Sequence, residues 1–242
     1  MAIIAIYSAK GGVGKTTLAV NLAWCAAMRA RRRTLVWDLD GQAAASAILA
    51  RAEPRVPARE VIARDEPPEA AIVPTGVTGL DLLPADGSLR SLDALFAGLD
   101  KRKRLAKLSQ ALDRSYDRVL LDCPPGLGDT AEQVIRAADL IVLPLVPNSL
   151  SRRAFDEVRR HLGSGGKAPP VQPVFTLVDR RRAGHRAALA AEPDWPVVPA
   201  AAVVEQMADR GAAVGDYAPR TPAAAAFDAL WVRIERLLCA PS

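Results

Sequence analysis

Cysteine, histidine and aromatic residues are scarce in this 242-residue chain: 3 Cys, 2 His, and Phe, Trp and Tyr together only 5%. Cys25, Cys123 and Cys239 are odd in number and far apart, so they supply neither a disulfide framework nor a CxxC metal site. They read as small buried apolar residues in a reducing compartment. His161 and His185 both lie in arginine-rich stretches, which leaves a histidine metal site or a Ser-His-Asp triad little to work with. Long apolar runs are missing too: no stretch of about 18 residues escapes charged or polar interruption, which argues against a transmembrane span. The opening MAIIAIYSAKGG has no basic start and too short an apolar run for a signal peptide. It reads as a first β-strand, and the expectation is a soluble, cytoplasmic protein.

What is present suits a folded domain. Half of the residues are apolar and 24% are charged, a balance that excludes a disordered chain and allows a real core. The net charge of +5 is a mild excess, compatible with a polyanionic partner without demanding one. The length fits one α/β domain over 1–242.

Nearly uncharged strands are expected at 3–7, 34–37, 80–83, 119–121, 140–143, 171–178 and 197–198. Helices are expected over 15–29, 105–112, 130–137, 152–162, 183–191, 203–210 and 223–238, with a turn at 163–170. The basic run Arg29–Arg33 reads as cations closing a helix against its dipole. Residues 51–79, rich in Pro, Glu and Arg, read as loops around one short helix. Strands alternating with helices indicate a mostly parallel, twisted sheet covered on both faces, with ligands beyond the carboxyl ends of the strands.

The strongest signal is Ser8-Ala9-Lys10-Gly11-Gly12-Val13-Gly14-Lys15-Thr16-Thr17, between an expected strand and an expected helix. Glycines let backbone N–H groups turn toward phosphate oxygens, and a helix N-terminus adds its positive end. Lys15 supplies a charge to the β- and γ-phosphates, and the Thr16 hydroxyl is placed to ligate Mg²⁺. The cofactors expected are ATP and Mg²⁺. Two further strands deliver carboxylates to the same end: Asp38 and Asp40 in Val36-Trp37-Asp38-Leu39-Asp40-Gly41-Gln42, and Asp122 in Leu120-Leu121-Asp122-Cys123-Pro124-Pro125.

The phosphate loop departs from the general pattern by Ala9 in place of the first glycine and by the early Lys10. In this it resembles the ParA/MinD family of partitioning and positioning ATPases, a deviant branch of the P-loop NTPases. The resemblance implies that Lys10 reaches a partner subunit's nucleotide, so that ATP holds a homodimer together. It implies a phosphate contact for Thr17, with the 10–17 loop as a whole (Lys10, Gly11, Gly12, Val13, Gly14, Lys15, Thr16, Thr17) cradling the nucleotide. Asp40 is expected to orient the attacking water, Asp38 to hold the switch and metal shell, and Asp122 to bind Mg²⁺ through water. Gly41 stands where the family usually has proline, which suggests a more mobile switch. Leu82-Leu83-Pro84-Ala85, Pro144-Leu145-Val146-Pro147 and Asp216-Tyr217-Ala218-Pro219-Arg220-Thr221 resemble further family segments. Pro199, Ala200 and Ala201 fall where the adenine base is received, although the usual Arg-Asn is Ala-Ala.

Members of this family ride on nonspecific DNA, on membrane or on protein partners. No helix-turn-helix segment precedes the first strand, so sequence-specific operator binding is not expected. The tail from Trp231 to Leu238 is amphipathic but carries Glu235, and is expected to pack on the domain rather than on membrane. Nonspecific nucleoid DNA is the favoured matrix, with Arg152, Arg153, Arg180, Arg181, Arg182, Arg186, Arg210 and Arg220 as candidate contacts. A stimulating cargo-adaptor protein is a further expected partner. A membrane-riding, MinD-like division-site regulator is the alternative. An iron–sulfur carrier on the same fold would need converging cysteines, and Cys25, Cys123 and Cys239 are isolated in the sequence.

Overall fold

Eight strands form one sheet in the order β3-β4-β2-β5-β1-β6-β7-β8. The computed structural model describes residues 1–64, 66–98, 103–163 and 168–239. The strands are β1 (Ala2–Ile6), β2 (Thr34–Asp38), β3 (Val73–Pro74), β4 (Leu80–Leu83), β5 (Arg118–Asp122), β6 (Leu140–Leu145), β7 (Val171–Val178) and β8 (Val197–Pro199). All pairings are parallel except β3 with β4.

The side-chain period of a strand explains the uniformly apolar runs. Ile3, Ala5 and Tyr7 enter one core layer while Ile4 and Ile6 enter the other, and Val119 and Leu121 oppose Leu120 in the same way. Both faces are therefore buried, so neither needs polar residues. One layer is closed by α1 (Lys15–Trp24), α2 (Ala44–Leu49), α10 (Met207–Arg210), α11 (Val214–Tyr217) and α12 (Pro222–Cys239). The other is closed by α3 (Ala58–Ala63), α4 (Leu92–Gly98), α5 (Arg104–Ala111), α6 (Asp129–Ala137), α7 (Ser151–Gly163) and α8 (Ala183–Ala191). The short α9 (Ala202–Glu205) follows β8.

The structure departs from the sequence-based expectations in several places. After Trp24 the first helix widens into a π-turn over Cys25–Arg29, and Arg31 takes a left-handed φ of 52°. The basic run is then held by ion pairs rather than by a helix end: Arg29–Asp228 at 3.2 Å, Arg32–Glu235 at 3.6 Å and Arg33–Asp117 at 3.4 Å. Within 51–79 a second helical turn, Pro68–Ala71, and the edge strand β3 accompany α3. The expected helix over 203–210 is two short ones, α9 and α10, and α11 follows unforeseen. The 3₁₀ turn Gly87–Ser91 and α4 were also unforeseen, and both bear on the site. Of the expected 163–170 turn, residues 164–167 lie outside the described residues.

Candidate functional site

The phosphate loop leaves β1, an interior strand between β5 and β6, and enters α1 at Lys15. Gly12 and Gly14 have φ of 70° and 87°, a region that side chains disfavour, which is why this turn is built from glycine. Two side chains from distant elements fasten it. The Thr176 hydroxyl of β7 donates to the Val13 carbonyl at 2.7 Å. Asn21 donates to the Thr17 carbonyl at 2.8 Å and accepts from the Val214 N–H at 2.8 Å.

Lys15 is buried, and its ammonium donates to the Lys10 carbonyl at 3.1 Å. Burial lowers its pKa, while the Asp122 and Asp40 carboxylates pull it back up. The Lys10 side chain is exposed. Lys10 lines a neighbouring apolar cavity of about 360 Å³, shared with Leu127, Leu150 and Val158, rather than the cleft in front of Lys15. That cleft is about 630 Å³ and is lined by Gly11, Gly12, Gly14, Lys15, Thr16, Thr17, Asp40, Gly41 and the loop at Pro124–Pro125.

Asp38 and Asp122 end adjacent strands in register. Asp38 accepts from the Asp40 N–H at 3.1 Å and from the Ser46 N–H and hydroxyl at 2.9 and 2.7 Å. Both its oxygens are thus engaged within the protein, and through them Asp38 shapes the loop that carries Asp40, the switch-holding part of its expected role. The Ser46 oxygen in turn accepts from the Ala85 N–H at 2.9 Å. Asp122 is 1% exposed and, among the described residues, neither carboxylate oxygen has a hydrogen-bond partner of good geometry. Burial pushes its pKa up and the Asp38 charge adds to this, whereas the Thr16 hydroxyl and Lys15 pull the other way.

A buried carboxylate without partners costs free energy unless a cation compensates it. Here the nearby donors are the Thr16 hydroxyl and Asp122 itself, an all-oxygen set suited to a hard divalent ion such as Mg²⁺. Among the described residues no group of three or more His, Cys, Asp or Glu could hold an ion alone.

Asp40 is partly exposed at the cleft, its carboxylate accepting from the Gln42 N–H at 2.9 Å. Gly41 has a packing role that the sequence did not reveal. A Cβ at this position would lie 2.6 Å from the Arg90 backbone nitrogen, so glycine is required by the close approach of the Gly87–Ser91 turn. On the other side of the cleft, Tyr7 donates through its hydroxyl to the Gly126 carbonyl at 2.9 Å, and Asp93 accepts from the Thr130 N–H at 2.9 Å.

The remaining expected residues are more dispersed. Pro199 ends β8, Ala200 donates to the Val178 carbonyl at 3.0 Å, and Ala201 precedes α9. Arg152 and Arg153 stand on α7, Arg180–Arg182 between β7 and α8, Arg186 on α8, Arg210 at the end of α10, and Arg220 before α12. Arg152 is paired with Asp156 and Glu192, and Arg181 with Asp179 at 2.9 Å. Arg186 donates to the carbonyls of Arg180 and Arg181, and Arg210 lies over the Tyr217 ring. Arg153, Arg180, Arg182 and Arg220 are exposed, with no ion pair among the described residues.

A family profile described as an AAA domain matches residues 1–162. The chromosome-partitioning ATPase Soj of Thermus thermophilus is 32% identical over 240 residues, covering 93% of this chain and 91% of the relative. The chain belongs to the ParA/MinD family. The chromosome partitioning protein ParA of Myxococcus xanthus is 36% identical over 146 residues, which cover 59% of this chain and about half, 51%, of that relative. The solved structure of the septum site-determining protein MinD complexed with Mg-ADP, from Pyrococcus horikoshii, superposes with a TM-score of 0.81. It is 25% identical and covers 98% of this chain and 97% of its own. The P-loop NTPase fold expected from the sequence is therefore the observed one, and the expected ATP and Mg²⁺ match the ligand class of this neighbour.

Sequence reasoning missed Ser46, Asp93, Thr176 and Asn21, all of which hold the loops around the cleft. Only Thr176, a polar residue inside the apolar run of β7, carried a local signal.

Proposed function

We propose that this protein is an ATP-switched dimer that rides on nonspecific nucleoid DNA in the cytoplasm and positions a plasmid, a chromosome origin or a protein assembly. The observation that carries the reading is the division of labour between two lysines. Lys15 is buried in front of the phosphate cleft, while Lys10 is exposed and lines the cavity beside it. A cation so placed has no phosphate of its own and is suited to a partner's nucleotide. Residues 1–242 act as one unit in this reading.

When bound, Mg·ATP supplies a γ-phosphoryl group whose hydrolysis ends the dimer state. The backbone of Gly11–Gly14 and the Lys15 ammonium hold the phosphates, with Thr17 as a further contact. Thr16 and Asp122 would hold the Mg²⁺, Asp122 through water. Asp40, half-exposed at the cleft, orients water toward the terminal phosphate. Asp38 fixes that loop through Ser46. Pro199, Ala200 and Ala201 receive the base. An adaptor on the cargo accelerates an otherwise slow hydrolysis.

The DNA face is assigned to Arg180–Arg182 and Arg186, with Arg152, Arg153, Arg210 and Arg220 around it. A two-fold dimer doubles these cations along one side, so DNA affinity follows ATP. The membrane reading has support in the likeness to MinD. Against it, the apolar side of α12, through Phe227, Leu230, Trp231 and Ile234, is already buried. Glu235 further ties α12 to Arg118 at 2.8 Å.

Co-sedimentation with random-sequence DNA and with anionic liposomes, each with Mg·ATP or Mg·ADP, tests the proposal. ATP-dependent binding to DNA, with a log–log salt slope growing by about 0.9 per phosphate contact, is the expected result. Arg180→Glu, Arg181→Glu and Arg182→Glu together should remove it. Binding to liposomes and not to DNA would overturn it.

A further inference from the structure

Arg90 lines the phosphate cleft, is exposed, and makes neither an ion pair nor a side-chain hydrogen bond among the described residues. Its backbone is held from several directions. Asp86 opens the Gly87–Ser91 turn by accepting from the Ser88 N–H at 2.7 Å and from the Ala58 N–H at 3.0 Å. Leu89 and Leu92 on either side are buried. Gly41 packs against the Arg90 backbone so closely that a Cβ would sit 2.6 Å from its nitrogen and 2.9 Å from its Cα. Three residues on, Asp93 grips the Thr130 N–H and leaves no room for a side chain at Gly128, where a Cβ would be 2.7 Å from its Oδ2. One segment, 86–93, thus touches both loops beside the cleft and presents one unpaired guanidinium between them.

The charge balance of the cleft gives that guanidinium a task. The cleft holds one buried cation, Lys15, and Asp40 on its wall adds no positive charge. A triphosphate carries about four negative charges near neutral pH, and one divalent ion with one lysine leaves part of this uncompensated. A guanidinium offers a planar fork of donors that suits terminal phosphate oxygens better than a lysine does.

The geometry points to Arg90 as a specificity-determining residue that contacts the terminal phosphate across the cleft from Lys15, so that the site distinguishes ATP from ADP. The inference deepens the nucleotide-binding reading above and rests on it. Gly41 has a defined part in it: the absence of a side chain lets the turn approach the Asp40 loop and brings Arg90 to the rim.

The test is the affinity of wild type, Arg90→Ala and Arg90→Lys for Mg·ATP and Mg·ADP, measured by displacement of a fluorescent nucleotide, with melting temperatures as a check on folding. Arg90→Ala should weaken ATP about ten- to a hundredfold and ADP by less than about threefold, as for loss of a charge-assisted hydrogen bond. Arg90→Lys should fall between. Gly41→Ala, which forces the turn back, should also weaken ATP more than ADP. Equal losses for both nucleotides would make Arg90 a merely structural residue and overturn the inference. So would an unchanged ATP affinity in Arg90→Ala while wild type binds normally. A wild type that binds neither nucleotide would remove the nucleotide site itself, and Arg90's role with it.

Discussion

Asp38 and Asp122 stand side by side at the ends of β2 and β5, yet among the described residues three well-formed hydrogen bonds go to Asp38, while Asp122 has only the Thr16 hydroxyl near it. The asymmetry separates two kinds of buried carboxylate. Asp38 is a structural acceptor that organises the Asp40 loop. Asp122 is the group whose burial a cation would compensate.

This has a pH consequence in the metal-free protein. Burial raises the folded-state pKa of both groups above the ordinary carboxylate value. A raised folded pKa means that folding takes up protons, so stability is fully present below the unfolded value of about 4 and is lost as pH rises toward the folded value. Asp122→Asn should therefore stabilise the metal-free chain at pH 8 by roughly 1 kcal/mol, about 2–4 °C in Tm, and by less at pH 5. The same substitution should abolish Mg²⁺-dependent ATP hydrolysis. Thermal melts with EDTA at the two pH values check the first statement, and a destabilised Asp122→Asn at pH 8 would contradict it.

Asp40→Ala should trap the nucleotide-bound state. Its carboxylate is at the cleft and, among the described residues, its one hydrogen bond is from the Gln42 N–H, so removing it leaves Thr16, Asp122 and Lys15 in place. Hydrolysis should fall by about 10²-fold or more, the scale of losing a group that positions the attacking water. ATP affinity should hold. Phosphate release measured beside nucleotide binding checks this, and a wild-type hydrolysis rate would move the role elsewhere.

How far the site was legible follows from where its parts lie in the chain. Residues 10–17 are adjacent, and their spacing alone specifies a strand–loop–helix cradle. Asp38 and Asp122 were readable because each ends an apolar strand. The supports were not, because each acts on a segment far along the chain: Ser46 on Ala85, Asp93 on Thr130, Thr176 on Val13. Such pairings are set by sheet order, in which β5 enters between β1 and β2, and no local period encodes that. Gly41 looked like a loosened switch because a missing side chain reads as freedom until its neighbour, Arg90, is seen.

Gly215 illustrates the same point away from the cleft. A Cβ there would lie 2.2 Å from the Trp24 ring, and Val214 beside it is fixed by Asn21. Gly215→Ala should cost about 1–3 kcal/mol through overpacking. Urea unfolding followed by tryptophan fluorescence reads this loss, and an unchanged midpoint would show that α11 can yield.

The most direct test of the account is the molar mass in solution by light scattering, with Mg·ATP and with Mg·ADP, for wild type and Lys10→Ala. Lys10 is exposed beside the cleft, and in the proposed switch it would gain a phosphate partner from a second subunit. Wild type should double its 25.7 kDa mass with ATP and not with ADP. Lys10→Ala should bind ATP through Lys15 and remain a monomer. A Lys10→Ala protein that dimerises with ATP as wild type does, or a wild type whose mass ignores the nucleotide, would contradict the switch.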